Sequence, residues 1–144
     1  MGLVYHRHLN SALRVAEANE FYHKWRLGAI IMKGGSMRSV GMSKLHTPAR
    51  IASIEHLKDI STHAEIDALS RCGSPKGSTV FVARVGRNGK AAMAKPCDDC
   101  TEALREHGVK RVVYTVNPTA FDTLRLGVTR GTSYCNSFRY SICS

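Results

Sequence analysis

The sequence predicts one α/β domain: a central mixed sheet of about five strands with helices on both faces. Three observations carry this. Short runs rich in β-branched residues recur ("LGAIIM", "STVFVARV", "VKRVVYTV"). They alternate with helical patterns ("HAEIDALSRC", "KPCDDCTEALREHG"), and Gly, Pro and Asn punctuate the joins. A chain of 144 residues fills one core and is too short for two, so residues 1–144 are expected to form a single domain. Only 124–144 are left without an expected structure.

Taken in order, residues 8–20 place Leu9, Leu13 and Ala16 at helical spacing, with Asn10 or Ser11 to start the helix. "LGAIIM", the turn at Gly34–Ser36 and "RSVGMSK" then read as a β-hairpin. Residues 45–60 are polar, basic and interrupted by Pro48. They read as a loop, within which "IASIEHLKDI" could form a short helix. "HAEIDALSRC" is a helix stopped by Gly73 and Pro75, and "STVFVARV" is a strand. In "KPCDDCTEALREHG", Pro96 marks a helix start and Gly108 its end. "VKRVVYTV" is a further strand, closed by Asn117-Pro118.

No apolar run approaches the roughly 20 residues that cross a bilayer. "MGLVYHRHLN" lacks the apolar centre of a secretory signal, so no membrane contact and a cytoplasmic location are expected. Five cysteines without regular spacing do not form a disulfide framework, and Cys72, Cys135 and Cys143 read as buried or free thiols. The formal net charge is +10, and 15 of the 21 basic residues fall in three stretches without acids: 21–54, 68–97 and 123–144. Such a distribution calls for an anionic partner, a nucleotide phosphate or a nucleic-acid backbone, unless it is a solvated basic surface.

Two motifs carry chemistry. Cys97 and Cys100, spaced i and i+3 at a helix start, project from nearly one face, where the helix dipole favours thiolates. That makes two soft-metal ligands. Zinc takes Cys sulfur and His nitrogen tetrahedrally, and a catalytic zinc keeps three protein ligands and one open position. His63 in "THAE" can be the third ligand, with Glu65 beside the open position if Thr62 is the N-cap. The same Thr62-x-x-Glu65 spacing is also a capping box, in which Glu65 holds its cap.

"HAEIDAL" and "PCDDC" together resemble the signature of the cytidine deaminase-like zinc deaminase superfamily, most closely its deoxycytidylate deaminase and tRNA adenosine deaminase branches. The resemblance runs over residues 27–116, through "GAIIM", "SVGMSK", "HAEIDAL", "TVFVA", "PCDDC" and "GVKRVVYT". It implies Zn²⁺ held by His63, Cys97 and Cys100, with Glu65 moving protons during hydrolytic deamination. The implied substrate is a cytosine nucleotide of dCMP type, and a homo-oligomer is implied by analogy. Arg26, Ser43, Lys44, His46, Arg50 and Ala64 become candidate substrate contacts; at Ser43 related chains often carry Asn. Three alternatives stand beside this reading: a deaminase acting on cytosine or adenine in single-stranded nucleic acid; a non-catalytic nucleic-acid-binding module with structural zinc closed by a fourth protein ligand such as Cys72; and a thiol redox pair at Cys97 and Cys100.

Overall fold

A computed structural model describes residues 3–19, 26–45 and 61–127. Helix α1 spans Leu3–Ala18, and the hairpin strands are β1 (Arg26–Lys33) and β2 (Ser36–Met42). Two short strands, β3 (Lys44–Leu45) and β4 (Ser61–Thr62), precede helix α2 (Ala64–Arg71). Strand β5 (Thr79–Val85), the two-residue β6 (Ala91–Ala92), helix α3 (Asp98–Glu106), β7 (Arg111–Asn117) and β8 (Ala120–Arg125) complete the order.

The main sheet has six strands in the order β2-β1-β5-β7-β8, with β6 paired to β5. Only β5 and β7 run parallel; every other pair in this sheet is antiparallel. Connection length explains the difference. Gly34 and Gly35, both at positive φ (58° and 81°), close a two-residue hairpin, and a similarly short turn joins β7 to β8. The β5-to-β7 link contains α3 and is long enough for a parallel crossover.

Side chains alternate between two cores, as the pleat requires. Ala29, Ile31, Val80, Val82, Val112 and Tyr114 pack against α2 and α3, whereas Ile30, Met32, Phe81, Ala83 and Val113 pack against α1. Helices therefore cover both faces, as expected. Helix α1 begins well before Asn10 and Ser11, which are not caps. Ser11 lies inside the helix and donates from Oγ to the Arg7 carbonyl one turn back (3.2 Å). The polar stretch 120–125, given no element by the sequence, is strand β8. Residues 46–60 and 128–144 lie outside the described residues, and with them the possible helix in "IASIEHLKDI" and most of the C-terminal segment.

Candidate active site

Helices α2 and α3 pack on the same face of the sheet and begin at the same end of it. At the start of α2 the N-cap is His63 (φ −75°, ψ 151°), whose own side chain makes no capping hydrogen bond. This corrects the sequence expectation: Thr62 is held in β4, paired with Lys44, so its backbone is committed to that ladder rather than to a capping box. The extended backbone at His63 lets its ring leave the helix axis while Glu65 enters the first turn, 2% exposed.

At the start of α3 the N-cap is Cys97, and Cys100 follows in the first turn. Pro96 therefore precedes the helix by two residues instead of opening it. Cys97 Sγ accepts from the Cys100 backbone N–H (3.4 Å), which aims the thiol back over the helix end. The approach from β5 is stitched down by Thr115, which is 3% exposed. Its hydroxyl donates to the Ala92 carbonyl (2.7 Å), and its own carbonyl accepts from Ala94 N–H (2.9 Å).

These two helix starts bring His63, Cys97 and Cys100 together, with ligand atoms all within 4.8 Å of one another. His63 Nδ1 lies 3.1 Å from Cys100 Sγ and 3.8 Å from Cys97 Sγ. A borderline-soft ion with a tetrahedral preference suits two thiols and an imidazole at this separation, and Zn²⁺ fits the donor set. Cys72 is not among the residues gathered here. It caps the opposite end of α2, about 12 Å along the helix, too far to serve as a fourth ligand to this group.

The family model for the cytidine and deoxycytidylate deaminase zinc-binding region matches residues 4–116. The chain belongs to this deaminase family. Two solved structures of the dCMP deaminase from cyanophage S-TIM5 share its fold. The apo form is 21% identical with a TM-score of 0.59, over 81% of this chain and 86% of the phage chain. The form in complex with dCMP and dUMP is 23% identical, also at 0.59, over 79% and 82%. Cytidine deaminase from Burkholderia pseudomallei aligns with a TM-score of 0.63 at 18% identity, over 88% of this deaminase and 94% of that chain. Among curated protein sequences there is no match.

The deaminase spreads its other candidate residues unevenly. Ala64 is fully buried as the first residue of α2, and its carbonyl rests against Gly41. Lys44 pairs with Thr62 through the backbone, directly beside His63. Ser43 is buried at 6% exposure, and its Oγ accepts from Leu27 N–H (3.1 Å) and Asn19 Nδ2 (3.1 Å). Arg26 opens β1 and donates from Nη1 to the Glu17 carbonyl (3.4 Å). His46 and Arg50 lie outside the described residues.

Polar residues outside the motifs also shape this end of the sheet. Asp67, two residues past Glu65, is 8% exposed; it accepts from Met42 N–H (3.1 Å) and Arg71 Nε (3.4 Å), tying α2 to the end of β2. Arg84 is the cross-strand partner of Leu27, so it shares the α2 and α3 face. It donates from Nη1 to the Met93 carbonyl (3.1 Å), and burial lowers its pKa from the usual guanidinium value. A lone Arg inside "TVFVARV" was the available sequence signal.

Proposed function

We propose that this deaminase hydrolyses a cytosine nucleotide of dCMP type, giving the uracil nucleotide and ammonia. The observation that carries this is the meeting of His63, Cys97 and Cys100 at two helix starts, with Glu65 buried in the turn that follows His63. The phage relative solved with dCMP and dUMP supports a cytosine nucleotide as the substrate class.

His63, Cys97 and Cys100 are the ligand set. Zinc held there supplies the Lewis acidity that makes water a nucleophile at neutral pH. Glu65 accepts the proton of the attacking water and delivers it to N3 of the ring as C4 becomes tetrahedral. It then passes the second proton to the amino group, which leaves as ammonia while C4 keeps the new oxygen. Burial keeps the Glu65 carboxyl out of bulk water, so the protons it carries are not lost between steps. Ala64 N–H, one of the first helical donors without an intrahelical acceptor, is assigned to the substrate, and the Lys44 side of the β3–β4 pair to its phosphate.

Mass spectrometry of dCMP incubated with zinc-loaded protein tests the proposal, beside Glu65→Gln as control. Wild type converts dCMP to dUMP, and the variant is slower by at least about 10²-fold, the usual worth of a general acid-base group. Zinc-loaded wild type that leaves dCMP intact overturns the substrate. Equal turnover by Glu65→Gln overturns the role of Glu65.

A further inference from the structure

Side chains, not the backbone alone, end the β1–β2 ladder just before β3 begins. The register sets Gly28 opposite Met42, so Leu27 and Ser43 form the next pair. In a hydrogen-bonded antiparallel pair each residue gives its N–H to the other's carbonyl. Ser43 N–H does bond the Leu27 carbonyl (3.2 Å), but Leu27 N–H goes to Ser43 Oγ (3.1 Å). The hydroxyl has taken the place of the carbonyl. Ser43 is 6% exposed, and at that depth a displaced carbonyl needs a new partner.

Asn19 supplies it. This residue stands just past the end of α1, 8% exposed, with its N–H on the Ala16 carbonyl (3.2 Å). Its Nδ2 donates to the Ser43 carbonyl (2.8 Å) and lies 3.1 Å from Ser43 Oγ and 3.4 Å from the Leu27 carbonyl. An amide NH₂ has two protons for these three oxygens, and the shortest bond goes to the carbonyl that the ladder gave up. Two side chains thus replace one rung of the sheet. The next residue, Lys44, then pairs with Thr62, which leads into His63. Helix α1 covers the face of the sheet opposite α2 and α3, so the approach to His63 is tied to an element on the far side.

We infer that Asn19 and Ser43 form a joint that positions the metal ligand His63, ending the β1–β2 ladder and aiming the residues that follow at β4. Without the Ser43 hydroxyl, Leu27 N–H returns to the carbonyl of residue 43. The ladder then gains a rung, and Lys44 is drawn toward β1 and away from Thr62. Without the Asn19 donor, the Ser43 carbonyl is left buried without its partner and the joint opens. Neither residue belongs to the metal-binding group. Both act through the backbone that leads into His63, which makes them positioning residues. The inference concerns the ligand set and is independent of the dCMP reading.

Asn19→Asp keeps the shape of the side chain and sets an oxygen against the Ser43 carbonyl, and Ser43→Ala removes the hydroxyl. Leu9→Ala, buried in α1 against the other core, is the control for a general loss of stability. The full chain is titrated with zinc against a chromophoric chelator, and its Co²⁺ form is read for the thiolate charge-transfer and d–d bands of a tetrahedral site. Each joint variant should bind zinc about 10- to 100-fold more weakly than wild type, the usual cost of losing a group that orients a ligand, and show weaker Co²⁺ bands. The double variant should bind no more weakly than the worse single one, because either change opens the same joint. Leu9→Ala should melt lower and bind zinc as wild type does. Wild-type zinc affinity in either joint variant, once folded, overturns the inference. An equal loss in Leu9→Ala overturns it by making the effect one of stability, and an additive loss in the double variant does so by making the two residues independent.

Discussion

Gly41 is where the placement of α2 can be tested most sharply. A Cβ built there would lie 2.9 Å from Ala68 Cα and closer still to Ala64 O and Ala68 N, all backbone of α2 and unable to rotate away. Ordinary contact is no nearer than 3.4 Å, so Gly41→Ala pushes the helix off β2 by several tenths of an ångström. Overpacking of this kind costs about 2 kcal/mol, which at roughly 3–4 °C per kcal/mol for a chain this size lowers Tm by about 6–8 °C. The same movement carries His63 away from Cys97 and Cys100. Zinc sites tolerate little more than about 0.5 Å of misplacement, and zinc affinity falls at least about tenfold. Gly28→Ala is the control. Its Cβ would meet Ala16 N at 2.6 Å and Ala12 O at 2.7 Å, overpacking α1 on the other face. Calorimetry and competitive zinc titration of both variants should show similar losses of Tm, but weaker zinc binding only in Gly41→Ala. If both bind zinc as wild type does, or if Gly41→Ala melts with wild type, the claim that β2 positions His63 is wrong.

Asp67→Ala leaves Met42 N–H without its carboxylate partner and costs about 1–3 kcal/mol, whereas Asp67→Asn, which can still accept that bond, recovers part of the loss; denaturant midpoints of the two variants check the order. Tyr114 sets an alkaline limit. Burial, then repulsion from Asp122, raise its pKa above the usual phenol value of 10.0. The folded state thus holds the phenol proton longer than the unfolded chain does. The stability this contributes is complete below pH 10.0 and is lost as pH rises through the folded pKa. Unfolding midpoints followed from neutral pH upward should fall less steeply in Tyr114→Phe than in wild type.

That His63, Cys97 and Cys100 meet was legible because a zinc site admits few residue types, and a helix start fixes their spacing within each motif. The strands "TVFVARV" and "RVVYTV" were legible for a related reason: buried on both faces, they read as continuous apolar runs. What failed was local chemistry overruled from a distance. Thr62 has the composition of a cap, but its neighbour across the ladder is Lys44, a pairing no short window of sequence contains. Asn10 and Ser11 look like a helix start, yet the stripe Leu9, Ala12 and Ala16 against the sheet decides where α1 lies. Strand β8 has partly exposed, mixed side chains, so only its pairing with β7 reveals it. Asp67 sits on the buried side of α2, and its bond to Met42 N–H depends on the register of β2.

The ladder of β3 and β4 joins Lys44 to Thr62 and Leu45 to Ser61, so two points of the chain that are 16 to 18 residues apart in sequence meet beside His63. The rung at Thr62 directly precedes His63, so the ladder fixes the backbone from which that side chain departs. Between those rungs, a change of loop length adds only a slowly growing closure entropy to the pairing. A designer wishing to vary the sequence between those rungs would therefore keep both pairs and judge each variant by whether His63, Cys97 and Cys100 still meet.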